Sequence, residues 1–348
     1  MDDGNFDDIT CPVPHPLPDK ITMAHGGGGT AMQRLIEGCF AKHLDTQHHQ
    51  DAAVLHADTC DLAFSTDSFV VQPLFFPGGN IGSLAVHGTV NDLAMQGARP
   101  RWLSAGYILE EGFPIAGLDR IVQSMGEAAR ACGVQVVTGD TKVIEHGSGS
   151  GVMINTSGVG TLDAKLQMGH QHIQPGDAVL INGDLGRHGM AIMSVRAGLA
   201  FESEIRSDSA ALVAPVHALL DAGIRVRCMR DLTRGGLASA TNEVCASARR
   251  DMRLRAVAVP VTESVKSACE VLGLDPLYVA NEGRFMAIVA AEDVDAALEI
   301  LGAHSVDCTP AHIGSINDGT AGQVILETPL GTEVILDQLS GDQLPRIC

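Results

Sequence analysis

The stretch Leu62-Ala-Phe-Ser-Thr-Asp-Ser-Phe-Val-Val71 alternates in side-chain character, and Pro77-Gly-Gly-Asn80 separates it from the long apolar run Ile81-Gly-Ser-Leu-Ala-Val-His-Gly-Thr-Val-Asn-Asp-Leu-Ala-Met-Gln96. Period-two alternation predicts a strand, and the run that follows predicts a helix stopped by Gly97 and Pro100. The same alternation continues outward. Trp102–Leu109 reads as a strand, 117–132 as a helix ended by Gly133, and Val134–Val137 and Val152–Val159 as short strands. Gln174-Pro-Gly-Asp177 is a turn signal and a domain boundary. Beyond it, strands are expected at Ala178–Asn182, Val226–Met229, Arg284–Ala290, 311–316 and 322–327. Helices are expected at 188–199, 208–222, after Gly235-Gly236 and at 291–302. The fold class that follows is α+β, with two α/β units in tandem at 45–165 and 174–336. Residues 1–44 precede them as a mobile acidic extension, a glycine-rich loop and a helix over 30–44 with Met32, Leu35, Ile36, Cys39 and Phe40 on one face. Residues 337–348 follow as a flexible tail, its thiol fully exposed at Cys348.

The 348 residues carry 23 Lys and Arg against 42 Asp and Glu, a formal charge of −19. A surface that acidic repels phosphate backbones and anionic lipid, so neither nucleic acid nor a membrane is expected as a partner. No apolar run approaches the roughly 18 residues of a membrane span, and the acidic, proline-dotted start has no signal-peptide pattern. The nine cysteines are odd in number, scattered, and without a CxxC pair, which reads as free thiols in the cytoplasm. Fourteen histidines include no HExxH and are read as loop residues rather than zinc ligands.

Four aspartates share a local style. Asp51 opens Asp51-Ala-Ala-Val-Leu, Asp67 sits in Ser65-Thr66-Asp67-Ser68, Asp92 follows Asn91 inside an apolar helix, and Asp140 sits in Thr138-Gly-Asp140-Thr-Lys142. Singly, each suits a turn or a cap. Together they suit a hard divalent cation beside phosphate oxygens, with Lys142 as a phosphate contact or a base. The run His25-Gly26-Gly27-Gly28-Gly29 allows close backbone approach to a ligand or serves as a hinge, and His25 meets a nucleotide or caps the turn. Arg230-Asp231-Leu-Thr-Arg234-Gly235-Gly236 precedes a helix and reads as phosphate-facing or as an ordinary N-cap. Asn281-Glu282-Gly283 reads as a turn or as a strand start carrying a base.

These segments, joined by Pro73-Leu-Phe-Phe-Pro-Gly-Gly-Asn-Ile-Gly82, Ile108-Leu-Glu-Glu-Gly112 and the closing Pro345-Arg-Ile-Cys348, resemble the HypE-type carbamoyl dehydratases of nickel–iron hydrogenase maturation. That family stands within the AIR-synthetase-like ATP-binding superfamily, and the resemblance covers about residues 21–348. It implies a homodimer whose N-terminal domains pair through a barrel-like sheet. It implies ATP-dependent dehydration of an S-carbamoyl group on Cys348 to a thiocyanate, the source of cyanide for hydrogenase iron. A HypF-type carbamoyltransferase would load Cys348, and a HypC–HypD complex would receive the cyanide. Magnesium would be held by Asp67, Asp92 and Asp140. ATP would be met by His25, Gly26, Gly27, Gly28, Asp51, Thr66, Asn91, Asp231, Arg234 and Gly235, with Cys348, Lys142 and Glu282 catalytic. The alternatives are a non-catalytic carbamoyl or cyanide carrier and another ATP-dependent enzyme of the superfamily.

Overall fold

Alternating side chains on β2 (Asp61–Phe69) and on β7 (Val152–Thr161) bury one face and expose the other. With β1 (Ala53–His56), β5 (Arg99–Glu110) and β6 (Gln135–Ile144) they form a five-stranded sheet in the order β1-β2-β7-β5-β6. Only β5 and β6 run parallel; the other pairs are antiparallel. A two-residue hairpin, β3 (Phe75–Phe76) with β4 (Gly79–Asn80), leads into α2 (Ile81–Met95), the second helix after the short α1 (Thr30–Leu35). Asn80 caps α2 by accepting from the Gly82 N–H at 2.8 Å. Helices α2 and α3 (Ile115–Ala131) cover one face of the sheet around Phe69, Leu84, Leu103, Ile121 and Ile154. The computed structural model describes residues 20–27, 29–41, 43, 51–56, 60–198, 204–305, 308–339 and 347–348. The expected extension over 1–19, Gly28 and tail residues 340–346 lie outside the described residues.

The second unit is a seven-stranded mixed sheet, β14-β13-β10-β12-β8-β11-β9. Its strands are β8 (Ala178–Ile181), β9 (Val226–Asp231), β10 (Met252–Arg255), β11 (Phe285–Val289), β12 (Ala311–Ile316), β13 (Val324–Glu327) and β14 (Glu333–Ile335). Central strands β8 and β11 are buried along their whole length, as a sheet covered on both faces requires. Val179 and Ile181 face the core under α6 (Gly236–Ala248). Ala178 and Leu180 face the opposite core with α5 (Val213–Asp221) and α8 (Val294–Ala303). Helices α4 (Arg187–Ala197) and α7 (Glu263–Leu272) pack a smaller cluster around Met190, Val265 and Val279.

Helix α2 belongs to both units. It packs on the first sheet and also on β9 and α5, and it is buried almost all round, so its apolar residues show no stripe. Asn91 fixes it there. Its Nδ2 donates to the carbonyls of Ala210 at 3.0 Å and Glu282 at 3.4 Å, and its Oδ1 accepts from the Leu212 N–H at 2.8 Å.

Most expected elements appear, with four differences. The helix expected over 30–44 is α1 followed by a π-helical segment over Ile36–Phe40. The helix expected over 208–222 begins only at Val213, because Ser207, Asp208 and Ser209 bond to His188, to the Glu282 and Gly283 N–H groups and to His87 instead. The strand expected at Val134–Val137 runs on to Ile144 beside β5. The tail expected to be free is anchored at its tip: Ile347 is buried and Cys348 half-buried. No helix among the described residues is long and apolar enough to cross a membrane.

The outer face of the first sheet is not covered. Leu55, Phe64, Trp102 and Ile108 are exposed, and β6 is exposed along nearly its whole length. The sheet of the single chain is open at β1 and β6.

Removing the Asn91 amide leaves the Leu212 N–H and two carbonyls without partners in a buried position. Asn91→Leu is expected to destabilise the fold by about 2–3 kcal/mol, read as a lower midpoint in calorimetric unfolding.

Candidate active site

Between the two units lies a cleft of about 1080 Å³. The first unit contributes Asp51 from just before β1, Thr66 and Asp67 from β2, and Gly88 and Asp92 from α2. The second contributes Arg230 and Asp231 from the end of β9, Thr233 and Arg234 from the turn before α6, Asn242 and Glu243 from α6, and Glu282 from just before β11. Gly29, Gln338 and Cys348 also line it.

Strand parity explains Asp67: it shares the helix-covered face with Ala63, Ser65 and Phe69, so it points toward α2. Asp92 meets it from the helix, held by the Ser65 hydroxyl at 2.6 Å. Oxygen atoms of Asp51, Asp92 and Asp231 lie within 4.8 Å of one another. Asp51 is also bonded by Arg230, which reaches on to Glu243 at 2.6 Å. Arg234 stands 3.5 Å from Asp67.

The electrostatics of this group are strained. Burial pushes the carboxyl of Asp92 well above the usual carboxylate range, and the charges of Asp231 and Asp67 push it further. Burial also raises Asp231, against the pull of Arg230, and raises Asp67, against that of Arg234. Glu282 is raised well above its ordinary value by burial and then by Asp231 and Asp67. One oxygen of Asp51 and one of Glu282 are buried without a hydrogen-bond partner among the described residues. Three crowded carboxylates with an orphaned oxygen fit a hard divalent cation, which prefers oxygen ligands.

The Glu282 backbone is held from several directions. Asp208 accepts from the N–H groups of Glu282 at 3.3 Å and Gly283 at 3.1 Å. A Cβ on Gly283 would lie 2.0 Å from the Asp208 carbonyl oxygen, so the turn requires glycine. Asn281 bonds the Leu232 and Val279 carbonyls and the Gly186 N–H.

Cys348 sits in the same cleft. Val70 N–H donates to its carbonyl at 3.1 Å, and His188 Nε2 lies 2.5 Å from the carbonyl of Ile347. Burial pushes its thiol up to about 12, with Arg234 pulling it down.

Not every expected site residue arrives here. Asp140 and Lys142 pair with each other at 2.9 Å on the exposed strand β6. Register pairs Asp140 with Gly106 and Lys142 with Ile108, on the uncovered face of the sheet, whereas Asp67 lies on the covered face. The chain's own Asp140 therefore does not join Asp67 and Asp92. His25 caps its own turn, its Nδ1 2.9 Å from the Thr22 hydroxyl and 3.0 Å from the Thr22 N–H. Of the glycine run, Gly29 lines the cleft; Gly26 is exposed and open. Asn91 is committed to backbone bonds, and Gly235 serves the start of α6 with φ of 77°. Sequence reading flagged the segments that hold Arg230 and Gly29 without giving either residue a role of its own, and it gave Glu243 none. It assigned both Asp51 and Asp231 to nucleotide, whereas the structure gathers them with Asp92, and the partner of Asp51, Arg230, is 179 residues away along the chain.

Comparison with known proteins follows the same lines. The family models for the N-terminal and C-terminal domains of AIR synthase related protein match residues 49–162 and 174–327. The two-domain organisation is that of this class. The carbamoyl dehydratase HypE of Azotobacter vinelandii is 51% identical over 332 residues, covering 94% of this chain and 97% of that one. A crystal structure of HypE in a HypE–HypF complex superposes with a TM-score of 0.82 at 44% identity, covering 88% of this chain and 99% of that one. A crystal structure of HypE in complex with ATP gives 0.79 at 45% identity, covering 94% and 100%. The chain belongs to the HypE family of AIR synthase related proteins.

Raised carboxyl values tie stability to pH. The folded chain holds the protons of Asp67, Asp92, Asp231 and Glu282 more tightly than the unfolded chain. The stability this contributes is fully present below the ordinary carboxylate range of about 4 and is lost as pH rises through the raised values. Without divalent cation, the melting temperature is expected to fall as pH rises above the ordinary carboxylate range. A hard cation displaces those protons, so its stabilising increment is expected to be larger at the higher pH and lost in Asp231→Asn. Scanning fluorimetry across pH with and without cation checks both.

Proposed function

We propose that this chain is an ATP-dependent carbamoyl dehydratase, converting an S-carbamoyl group on Cys348 to a thiocyanate and supplying cyanide ligands for hydrogenase iron. The observation that carries this is the position of Cys348 within the carboxylate cleft, beside Arg234 and Glu282. A carrier that only presents a thiol has no use for crowded carboxylates that destabilise one another. Membership of the HypE family supports the same reading over a sibling activity of the superfamily.

Amide oxygen leaves poorly. Transfer of the γ-phosphoryl of ATP to the carbamoyl oxygen, with release of ADP, makes that oxygen part of a phosphate leaving group. Two N–H protons are lost in all, and departure of phosphate completes the C≡N bond. Glu282 is suited to take one of these protons: it is buried, its raised carboxyl is a stronger base than an exposed one, and one oxygen lacks a partner. Arg234 faces the charge that develops on the phosphate. Magnesium would be held by Asp51, Asp92 and Asp231, with Asp67 beside them, and would offset the phosphate charge. A HypF-type carbamoyltransferase would load Cys348, and a HypC–HypD complex would accept the cyanide. Eight described cysteines are free, which suits the reducing cytoplasm.

Asp140 and Lys142 take part from the partner protomer of a homodimer in this reading. The uncovered apolar face and the unpaired edge of β6 support pairing of two sheets into a barrel-like interface. That pairing would turn the exposed pair toward the cleft of the second chain, with Lys142 as base or phosphate contact.

The test is the intact mass of the C-terminal peptide. After S-carbamoylation by the partner enzyme, addition of Mg-ATP is expected to remove one water from the Cys348 adduct. Glu282→Gln should keep the adduct and slow water loss about 100-fold or more. A stable adduct with ATP left intact would leave a carrier. Mixing Lys142→Ala with Glu282→Gln protomers is expected to restore part of the activity that neither has alone, because one site in the mixed dimer would then be complete.

A further inference from the structure

His188 lies in the first turn of α4 and is fully buried, and the reaction outlined above has no role for it. Its ring is constrained on three sides. Nδ1 is 2.8 Å from the Ser207 hydroxyl, Nε2 is 2.5 Å from the Ile347 carbonyl oxygen, and Phe76 packs against it at a right angle with centroids 5.4 Å apart. The Ile347 carbonyl oxygen can only accept, so Nε2 must carry a hydrogen, and Nδ1 of the neutral ring is left to accept from the Ser207 hydroxyl, whose oxygen also accepts from the Ser209 N–H at 3.0 Å. A neutral ring that accepts at Nδ1 carries its hydrogen on Nε2 and donates it to Ile347. Burial keeps the ring below the ordinary imidazole range and so neutral. Ser207 is itself placed by its N–H bond to the Pro77 carbonyl at 2.8 Å.

The consequence falls on Cys348. The Ile347 side chain joins the apolar cluster of Val71, Ile192 and Ala280, which fixes depth but not the rotation of the following peptide. Hydrogen bonds on both sides of Cys348 fix that rotation: His188 on the Ile347 carbonyl and the Val70 N–H on the Cys348 carbonyl. Among the described residues, His188 makes the only side-chain hydrogen bond to residues 347 and 348. We propose that His188 is a positioning residue for Cys348, its Nε2–H fixing the Ile347–Cys348 peptide so that the thiol is directed into the cleft. What the thiol then does rests on the function proposed above; the positioning itself does not.

The test has two arms on the full-length protein. In the first, iodoacetamide alkylation of Cys348 is timed by mass of the C-terminal peptide, with buried Cys228 and Cys269 as internal controls. His188→Ala is expected to speed Cys348 alkylation about 3- to 10-fold, the range set by loss of one hydrogen bond, while Cys228 and Cys269 stay protected. His188→Gln keeps a donor at similar reach and should return the rate to that of the parent. Ser207→Ala, which frees the ring without removing it, should give a smaller rise and serves if His188→Ala does not fold. An unchanged Cys348 rate, or a rise shared with Cys228 and Cys269, overturns the proposal. In the second arm, ATP-driven water loss from the S-carbamoylated protein should slow about 10- to 100-fold in His188→Ala, the cost of a misdirected reacting group, with KM for ATP unchanged. An undiminished kcat there also overturns it. If the parent protein loses no water, the proposed function fails, and the alkylation arm still decides the role of His188.

Discussion

The amide of Asn91 holds the molecule's arrangement together. It sits in the helix that covers the first sheet and hydrogen-bonds the backbone at Ala210, Leu212 and Glu282 of the second unit. A buried amide with all its bonds made to backbone is directional, so it fixes how α2 is rotated as well as where it lies. The neighbouring Asp92 then points into the cleft. The bond to the Glu282 carbonyl, weak at 3.4 Å, ties the same helix to the segment that carries the candidate base. Domain placement and site geometry therefore share one set of contacts.

The cleft stores unfavourable electrostatics that a hard cation, in the proposed function, would relieve. Asp51, Asp92 and Asp231 crowd one another, and Asp67 and Glu282 add charge at their edge. Arg230 and Arg234 offset part of this, one by bonding Asp51 and Glu243, the other by facing Asp67. A site organised only for stability would replace such carboxylates with apolar groups. The arrangement is costly without a cation, and in the proposed function a cation held there would offset the phosphate charge.

Much of the fold was legible along the chain. The alternation of Leu62–Val71, the capped apolar run from Ile81, and the continuous apolar strands around 178–181 and 285–289 report local backbone preference and burial, and the structure follows them. Asp92 stood out for a physical reason, since an apolar helix does not carry a carboxylate without a use for it. Histidines were less legible. His87, His188 and His217 lie in helices, not in loops; burial depresses each imidazole, and each ring finds a bonding partner distant in sequence: Ser209, the Ile347 carbonyl and the Ala98 carbonyl.

By itself the sequence determined the periodicities, the turns, the acidic character and the chemical inventory of Asp, Arg, Glu and Cys from which a site is assembled. Those depend on neighbours within a few residues. Only the tertiary structure decided membership of the site. Strand parity sent Asp67 to one face of the first sheet and Asp140 with Lys142 to the other. Contacts across 179 residues joined Arg230 to Asp51, and across 159 joined His188 to Ile347. The reason is geometric. Local patterns set the direction of a side chain relative to its own strand or helix, while the packing of α2 between two sheets sets which of those directions converge.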